Sequence, residues 1–407
     1  MISWYKKFCS QPHQSFFTSG IAFFILFMAL FGLAFSTYIN IDSSLYTYHA
    51  YALIFIVFIQ FFLGFLFVVF PKFLMQAEIE PKVYMKQFYL YFISSLGVFL
   101  SIIFYSKLII YFQSLMLFTQ ILSFILLYKI HKRSTMPVKN DTKWVLISFF
   151  TGLISHFLYI LSEILTNYSY ELLKFSVNSG FYLFLFMIVF TISQRMIPFF
   201  TRVMVPDYQI NKSKYLLDIF FVLLLIKVIV LSFEDAKFNL FIDIPIFLFL
   251  VRELYKWKLP TFKTPAIVWI LHLGIYWIVV AFFVSIIESI FAYIYPNIYF
   301  EKIVIHTLAL GYFVTVLIGF GTRVILGHSG RKIETKLFAK LIFIFLQIFI
   351  LFRVFTSIST NFSLDYALLI EINTIILIVL LLVWSLKYIV ILIEPEKKID
   401  KKSKWNI

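Results

Sequence analysis

The sequence predicts an all-α, polytopic membrane protein of about twelve spanning helices with both termini on the cytoplasmic side. Three observations carry this. Of 407 residues, 62% are apolar and only 14% charged, where soluble domains hold about half and a quarter. Mostly apolar runs of about eighteen residues or more recur along the chain, each long enough to cross the hydrocarbon core. The basic residues cluster in alternate connecting segments. Lipid offers the backbone no hydrogen-bond partners, so only helices or closed barrels cross it. A barrel strand would alternate apolar and polar residues, and stretches such as Phe149–Leu161 and Leu341–Phe352 do not.

The expected spans follow in order. Residues 18–38 form the first, behind Lys6 and Lys7. No small-residue cleavage site follows, so it reads as a retained span rather than a signal peptide. Spans 46–70 and 86–106 flank a basic loop with Lys72 and Lys82, and 108–128 follows after Lys107 alone. The basic segment 129–143 precedes span 144–165. Span 176–194 ends at Arg195, and the loop 195–214 leads to spans 215–233 and 238–254, the latter containing Pro245. Spans 266–292, 303–325, 336–357 and 366–393 complete the set. Of the 35 Lys and Arg residues, all but six then fall on the inner side: Lys107, Lys174, Lys237 and Lys302 lie outside, and Lys227 and Arg353 lie within spans. Such asymmetry fixes orientation by the positive-inside rule. Residues 1–393 are thus expected to be one membrane domain, and 394–407 a charged cytoplasmic tail. The net charge of +15 belongs to topology, and no nucleic-acid partner is expected. A single cysteine, Cys9, excludes internal disulfides, CxxC redox chemistry and thiolate clusters.

Topology sorts the seven histidines. His13 and His131 fall in inner basic segments and read as solvated. His49 and His306 each lie about one turn into a span that starts on the outer side, so they sit at similar depth. Two imidazoles facing one another there could ligate haem iron from both sides or share a metal; the alternative is two independent interfacial histidines. His328 lies beyond the inner end of the tenth span, about 33 Å from His306 along a continuous helix, so the two cannot share a metal. His156 and His272 lie within spans, where ionisable groups are functional by default, although each could equally bond across helices. In the tenth span Thr307, Gly311, Thr315 and Gly319 recur every four residues, a small-residue stripe suited to close helix approach.

The pattern His306-x-Leu-x-x-Gly311, followed by Thr322-Arg-Val-x-Leu-Gly-His-Ser-Gly-Arg331, resembles the C-terminal signature of the NnrS family. Arg195-Met-Ile-Pro-Phe-Phe-Thr201-Arg202 resembles its mid-chain motif, and Leu271–Trp277 the segment preceding the C-terminal signature. Tyr48-His49-Ala50, with Gly64 and Pro71, resembles its N-terminal pattern. The matches run in family order from about residue 45 to 331. The resemblance implies a haem- and copper-containing protein of the bacterial inner membrane, linked to nitric oxide metabolism and protection from nitrosative stress, with nitric oxide or nitrosylated iron species as partners. Carried over by residue, it points to His49, His272, His306 and His328 as metal-site candidates and to Arg195, Arg202, Arg323 and Arg331 as a basic motif. The family usually has a second histidine two positions after the first; here Tyr51 stands there. If that histidine is a ligand, one site, the copper one, is lost.

Outer-side histidines on spans 2 and 10 of twelve also resemble the arrangement of haem-copper oxidases. The expected site is therefore a b-type haem between His49 and His306, its propionates paired with Arg353, Lys227 or Lys302. Spans 6 and 7 contain no histidine, so no binuclear haem-copper reducing centre is expected and turnover stays open. Two other functions remain: electron transfer with a quinol donor, and haem-independent secondary transport, for which Glu288 and Glu371 are the main intramembrane acids.

Overall fold

The computed structural model describes residues 2–41, 44–233, 238–295 and 297–393. The tail 394–407 and Lys237 lie outside the described residues. All regular structure within them is helical. After a short helix, Ile2–Phe8, come twelve longer ones: α1 Pro12–Phe35, α2 Leu45–Phe73, α3 Pro81–Phe104, α4 Ile109–Arg133, α5 Asn140–Ile164, α6 Thr166–Met204, α7 Leu216–Ser232, α8 Asn239–Trp257, α9 Ala266–Ile294, α10 Ile303–His328, α11 Leu337–Thr356 and α12 Tyr366–Ile393.

Ten of these are long and apolar enough to cross a membrane; the two that fall short are α7 and α8. Helix α7 has 17 residues, about 25 Å at 1.5 Å per residue against a core of about 30 Å. Helix α8 carries Asp243, Arg252, Glu253 and Lys256. Bulky apolar side chains such as Phe241, Leu248, Ile348 and Leu386 stand exposed on the outside of the bundle. Only lipid makes such a surface stable, so this is a polytopic membrane protein in contact with the bilayer.

Successive helices reverse direction, which the side-chain contacts confirm at both ends. The start of α1, the end of α2 and the end of α10 meet through His13, Lys72 and His328. At the opposite end the end of α1 meets the start of α2 through Phe31 and His49, whose ring centres are 4.3 Å apart. The ends of α11 and the start of α10 meet there through Arg353 and His306. The first group shares its end with the basic loops, called the basic end below.

Helices α2, α6 and α10 form the centre: 78%, 83% and 72% of their apolar windows are buried, against 56% or less elsewhere. Each contains a π-helical stretch, Ala52–Val57, Gly180–Phe186 and Thr307–Val314. Wide turns of this kind release carbonyls from the regular ladder and concentrate at functional sites. In lipid a released carbonyl needs another donor, and one side chain serves each stretch. Gln120 Nε2 donates to the Phe55 carbonyl (3.1 Å), Thr151 Oγ1 to that of Leu183 (3.1 Å) and Thr315 Oγ1 to that of Leu310 (3.2 Å). The stretches touch through aromatic rings: Phe313 lies 5.7 Å from Phe58 and 5.3 Å from Phe181. The small-residue stripe of α10 brings it against α9, as its spacing suggested. A Cβ on Gly311 would lie 2.7 Å from Trp277, and one on Gly319 2.6 Å from Leu271.

Candidate functional site

Four helix ends converge opposite the basic end. His49 is one turn into α2 and His306 one turn into α10; Arg353 is near the end of α11 and Tyr366 begins α12. His49, His306 and Arg353 lie within electrostatic reach of one another. Both imidazoles are half-buried. Neither nitrogen of His49 hydrogen-bonds any described residue, and its ring rests on Phe31. His306 Nδ1 lies 2.9 Å from the Lys302 carbonyl and 3.0 Å from Arg353 Nη2. These contacts exclude each other, because Nδ1 must donate to the carbonyl but accept from the guanidinium. With Nδ1–H donating to Lys302, Nε2 keeps a free lone pair and Arg353 is released toward another acceptor. Lys302 holds that carbonyl in place with a left-handed backbone, φ 52°, a conformation that costs a non-glycine residue about 1–2 kcal/mol. Arg353 also hydrogen-bonds Ser357 Oγ (2.6 Å) and Tyr366, with Glu301 nearby.

The donor set fits a haem. It offers two imidazoles at one depth, one of them oriented through Nδ1 by a backbone carbonyl in the way ligating histidines usually are, and a buried guanidinium beside them for an anionic group.

The other expected site residues fall elsewhere. Lys227, 2% exposed, is ion-paired to fully buried Asp243 at 2.8 Å and donates to Asn239 Oδ1 at 3.1 Å. Asp243 also accepts from Ser285 at 2.6 Å. The ammonium of Lys227 is thus already committed on α8, and of the cationic side chains named for the propionates Arg353 is the one hydrogen-bonded to a candidate ligand. His272 is buried between two threonines. Thr201 Oγ1 donates to the Ile197 carbonyl, so it accepts from His272 Nε2–H at 2.8 Å, and Thr261 Oγ1 meets Nδ1 at 3.1 Å. Both ring nitrogens are occupied, and the contact joins the end of α6 to α9.

The basic motif gathers at the basic end. Arg195 donates to Asp141 at 2.6 Å and lies over the Phe73 ring at 4.0 Å; Gln194 donates to the other carboxylate oxygen at 2.9 Å. Arg323, 8% exposed, lies 3.7 Å over Phe200 of the mid-chain motif. Arg202 is exposed and Arg331 half-buried. In the loop after α6, Lys212 reaches Gln194 Oε1 at 2.5 Å, and burial pulls its pKa below the usual lysine range although Asp141 opposes this. The Arg323–Phe200 contact joins the mid-chain motif to the C-terminal one.

The chain matches a family model described as NnrS protein over residues 7–396. The chain belongs to the NnrS family. Membership suggests a membrane protein of the nitric oxide response. A comparison with curated proteins gave no match.

At Tyr51, where the resemblance led one to expect a second histidine, a closed network stands. His156 Nδ1 donates to Gln120 Oε1 (2.8 Å), which leaves Nε2 to accept from the Tyr51 hydroxyl (2.9 Å). Gln120 Nε2 goes on to the Phe55 carbonyl. Every member is buried and both ring nitrogens of His156 are used. His156, an ionisable residue inside a span, was the sequence signal for it; its partner Gln120 was missed. His13 departs from expectation: it is not solvated but 3% exposed, with its ring 4.7 Å from that of His328. Its position at a helix start, rather than in a loop, draws it inside.

Proposed function

We propose that this NnrS protein is a twelve-span protein of a bacterial inner membrane with cytoplasmic termini, and that it holds a b-type haem between His49 and His306 near the outer face, serving nitric oxide binding and protection from nitrosative stress. The observation that carries this reading is the convergence of His49, His306 and Arg353 at one depth, with His306 oriented by the Lys302 carbonyl and its Nε2 free. When bound, the haem would supply a site for nitric oxide or for one-electron exchange. The protein's residues would divide the work. His306, tethered at Nδ1, would be the fixed ligand; His49, without an orienting hydrogen bond, would be the one free to swing aside. Arg353 would turn from His306 Nδ1 to an anionic propionate, which settles the competition for that nitrogen. A phenylalanine-walled cavity of about 60 Å³ between α1, α2, α6 and α10, bounded by Phe17, Phe61, Phe313 and Phe320, suits a small neutral molecule such as a diatomic gas. Among the described residues no group of three or more His, Cys, Asp or Glu is placed to hold a metal.

The test is a reduced-minus-oxidised optical spectrum of the purified protein from haem-replete cells. A six-coordinate b-type spectrum in the wild type, lost in His306→Ala and converted to a five-coordinate form in His49→Ala, supports the site. Colourless wild-type protein overturns it. In that case the Lys227–Asp243 pair, with Glu288 in electrostatic reach, favours an ion-coupled transporter.

A further inference from the structure

At the basic end two arginines stand without an anion. Arg323, near the end of α10, is 8% exposed. A guanidinium carries five N–H donors, and none of those on Arg323 hydrogen-bonds a described residue; Nη1 is fully buried and unpartnered. The contact it does make is with the ring of Phe200 on α6, whose centre lies 3.7 Å from Cζ. Arg202, at the end of α6, is exposed and has no ion pair or hydrogen bond with a described residue. Arg195 is the contrast: it is paired with Asp141, whose two carboxylate oxygens are taken by Arg195 and Gln194.

The ordinary roles of such an arginine do not account for Arg323. A basic side chain near a helix end can cap the free carbonyls and face the negative end of the dipole, but Arg323 donates to no carbonyl of the described residues. No carboxylate among them is within its electrostatic reach. An aromatic face attracts a guanidinium but accepts none of its in-plane hydrogen bonds. A planar fork of donors is matched by an oxyanion that takes two bonds at once, a carboxylate or a phosphate. Position decides between them. Arg323 lies about 7.5 Å from the end of α10, five residues at 1.5 Å each, which is headgroup depth. Its cover, Phe200, is half-buried. Beside that ring Phe199 and Val203 are 52% and 43% exposed, and with Arg202 they share one face of α6 at the three- and four-residue spacing. An acyl chain lying along Phe199 and Val203 would bring its phosphate to Arg202 and, with the Phe200 ring turned aside, to Arg323. Basic pockets between spanning helices hold lipid headgroups in this way.

We propose that Arg323 and Arg202 bind a phosphate group at the basic end of the seam between α6 and α10, with Phe200 as its cover. A phospholipid headgroup presents that group at this depth, and free phosphate shares its chemistry. The site is independent of the haem reading, being about 25 Å along α10 from His306.

The experiment titrates delipidated full-length protein in detergent with phosphatidylglycerol and, separately, with diacylglycerol, which has the chains but no phosphate; bound lipid is counted by native mass spectrometry. Inorganic phosphate is tested on the same protein by equilibrium dialysis. The wild type should hold one phosphatidylglycerol per chain and bind diacylglycerol far more weakly. Arg323→Gln should weaken phosphatidylglycerol binding more than about tenfold, and Arg202→Gln, at an exposed position, about two- to fivefold. Arg323→Lys keeps the charge without the fork and should fall between wild type and Arg323→Gln; it carries the test if the glutamine variant does not fold. Arg195→Ala should bind as the wild type does, its guanidinium being already paired. Arg323-dependent binding of inorganic phosphate without lipid would assign the site to the free anion, and binding of phosphatidylglycerol alone would assign it to the headgroup. Equal phosphatidylglycerol binding in the wild type and the Arg323 variants, diacylglycerol bound as tightly as phosphatidylglycerol, or no binding of either phosphate source would overturn the proposal.

Discussion

Lys227 and Asp243 sit 2.8 Å apart with 2% and 0% exposure, and removing one partner strands the other's charge in a dry site. Asp243→Ala leaves the ammonium with Asn239 Oδ1 alone; Lys227→Met leaves the carboxylate with the Ser285 hydroxyl alone. Each single change should cost about 3–5 kcal/mol, whereas replacing both with apolar groups is often neutral or stabilising by about 1–4 kcal/mol. The Lys227→Met/Asp243→Leu variant should therefore stand well above the sum of its parts. Reversible unfolding of the purified protein in mixed detergent and dodecyl sulfate micelles gives the three free energies. If the double variant loses as much as the two singles together, the pair is not coupled and the reasoning fails. The same proteins decide what Lys227 is for. A folded Lys227→Met protein with full haem leaves Arg353 as the propionate partner. One that is folded but haem-free would return Lys227 to the cofactor.

The network around His156 makes a graded prediction. Tyr51→Phe orphans one buried nitrogen and should cost about 1–3 kcal/mol, whereas Gln120→Leu orphans both His156 Nδ1–H and the Phe55 carbonyl and should cost about twice that; equal losses in the same unfolding assay would argue against the network. Arg195→Ala removes a partly exposed ion pair with Asp141 and should change stability by no more than about 1 kcal/mol, so a large loss would point to a role beyond the pair. Arg353→Lys keeps the charge but not the planar fork; haem retention should fall while His306→Ala abolishes it, read by pyridine haemochrome assay.

How far the sequence spoke depended on whether a feature is periodic. The order of the long helices was legible because it rests on run length, and the α9–α10 contact because Thr307, Gly311, Thr315 and Gly319 repeat at the helical period. The His49–His306 pairing followed from depth alone: two helices entering from one side carry histidines one turn in. The π-helical stretches left no such trace. One extra residue per turn does not alter composition, and two of the three donors that stabilise them, Gln120 and Thr151, sit on other helices. Pairings that depend on helix rotation were equally hidden. Lys227 could be seen as an intramembrane cation, but only the packed bundle turns it toward Asp243 on α8. His13 looked like a loop residue because it falls in the basic segment before the expected first span, 18–38; Pro12 begins the helix and carries His13 against α10.

Helix α10 carries His306 near its start, and its fit against α9 should govern the proposed haem site. A Cβ at Gly319 meets the Leu271 Cδ2 methyl at 2.6 Å, the far end of a flexible side chain that can turn away. At Gly311 it meets Trp277 Cγ at 2.7 Å and Cβ at 3.0 Å. That indole is rigid, and its Nε1–H is tied to Gln347 Oε1 at 2.7 Å. Overpacking costs about 1–3 kcal/mol and rises as the neighbour's freedom falls, so Gly311→Ala should destabilise more than Gly319→Ala. Gly311 lies in the π-helical stretch, five residues from His306, and Trp277 can yield only by releasing Gln347, which donates to Thr315. Displacement there should reach the ligand: Gly311→Ala should weaken haem retention while Gly319→Ala leaves it near wild type. The opposite order, by unfolding and by haem content together, would mean that α10 is not held at Trp277.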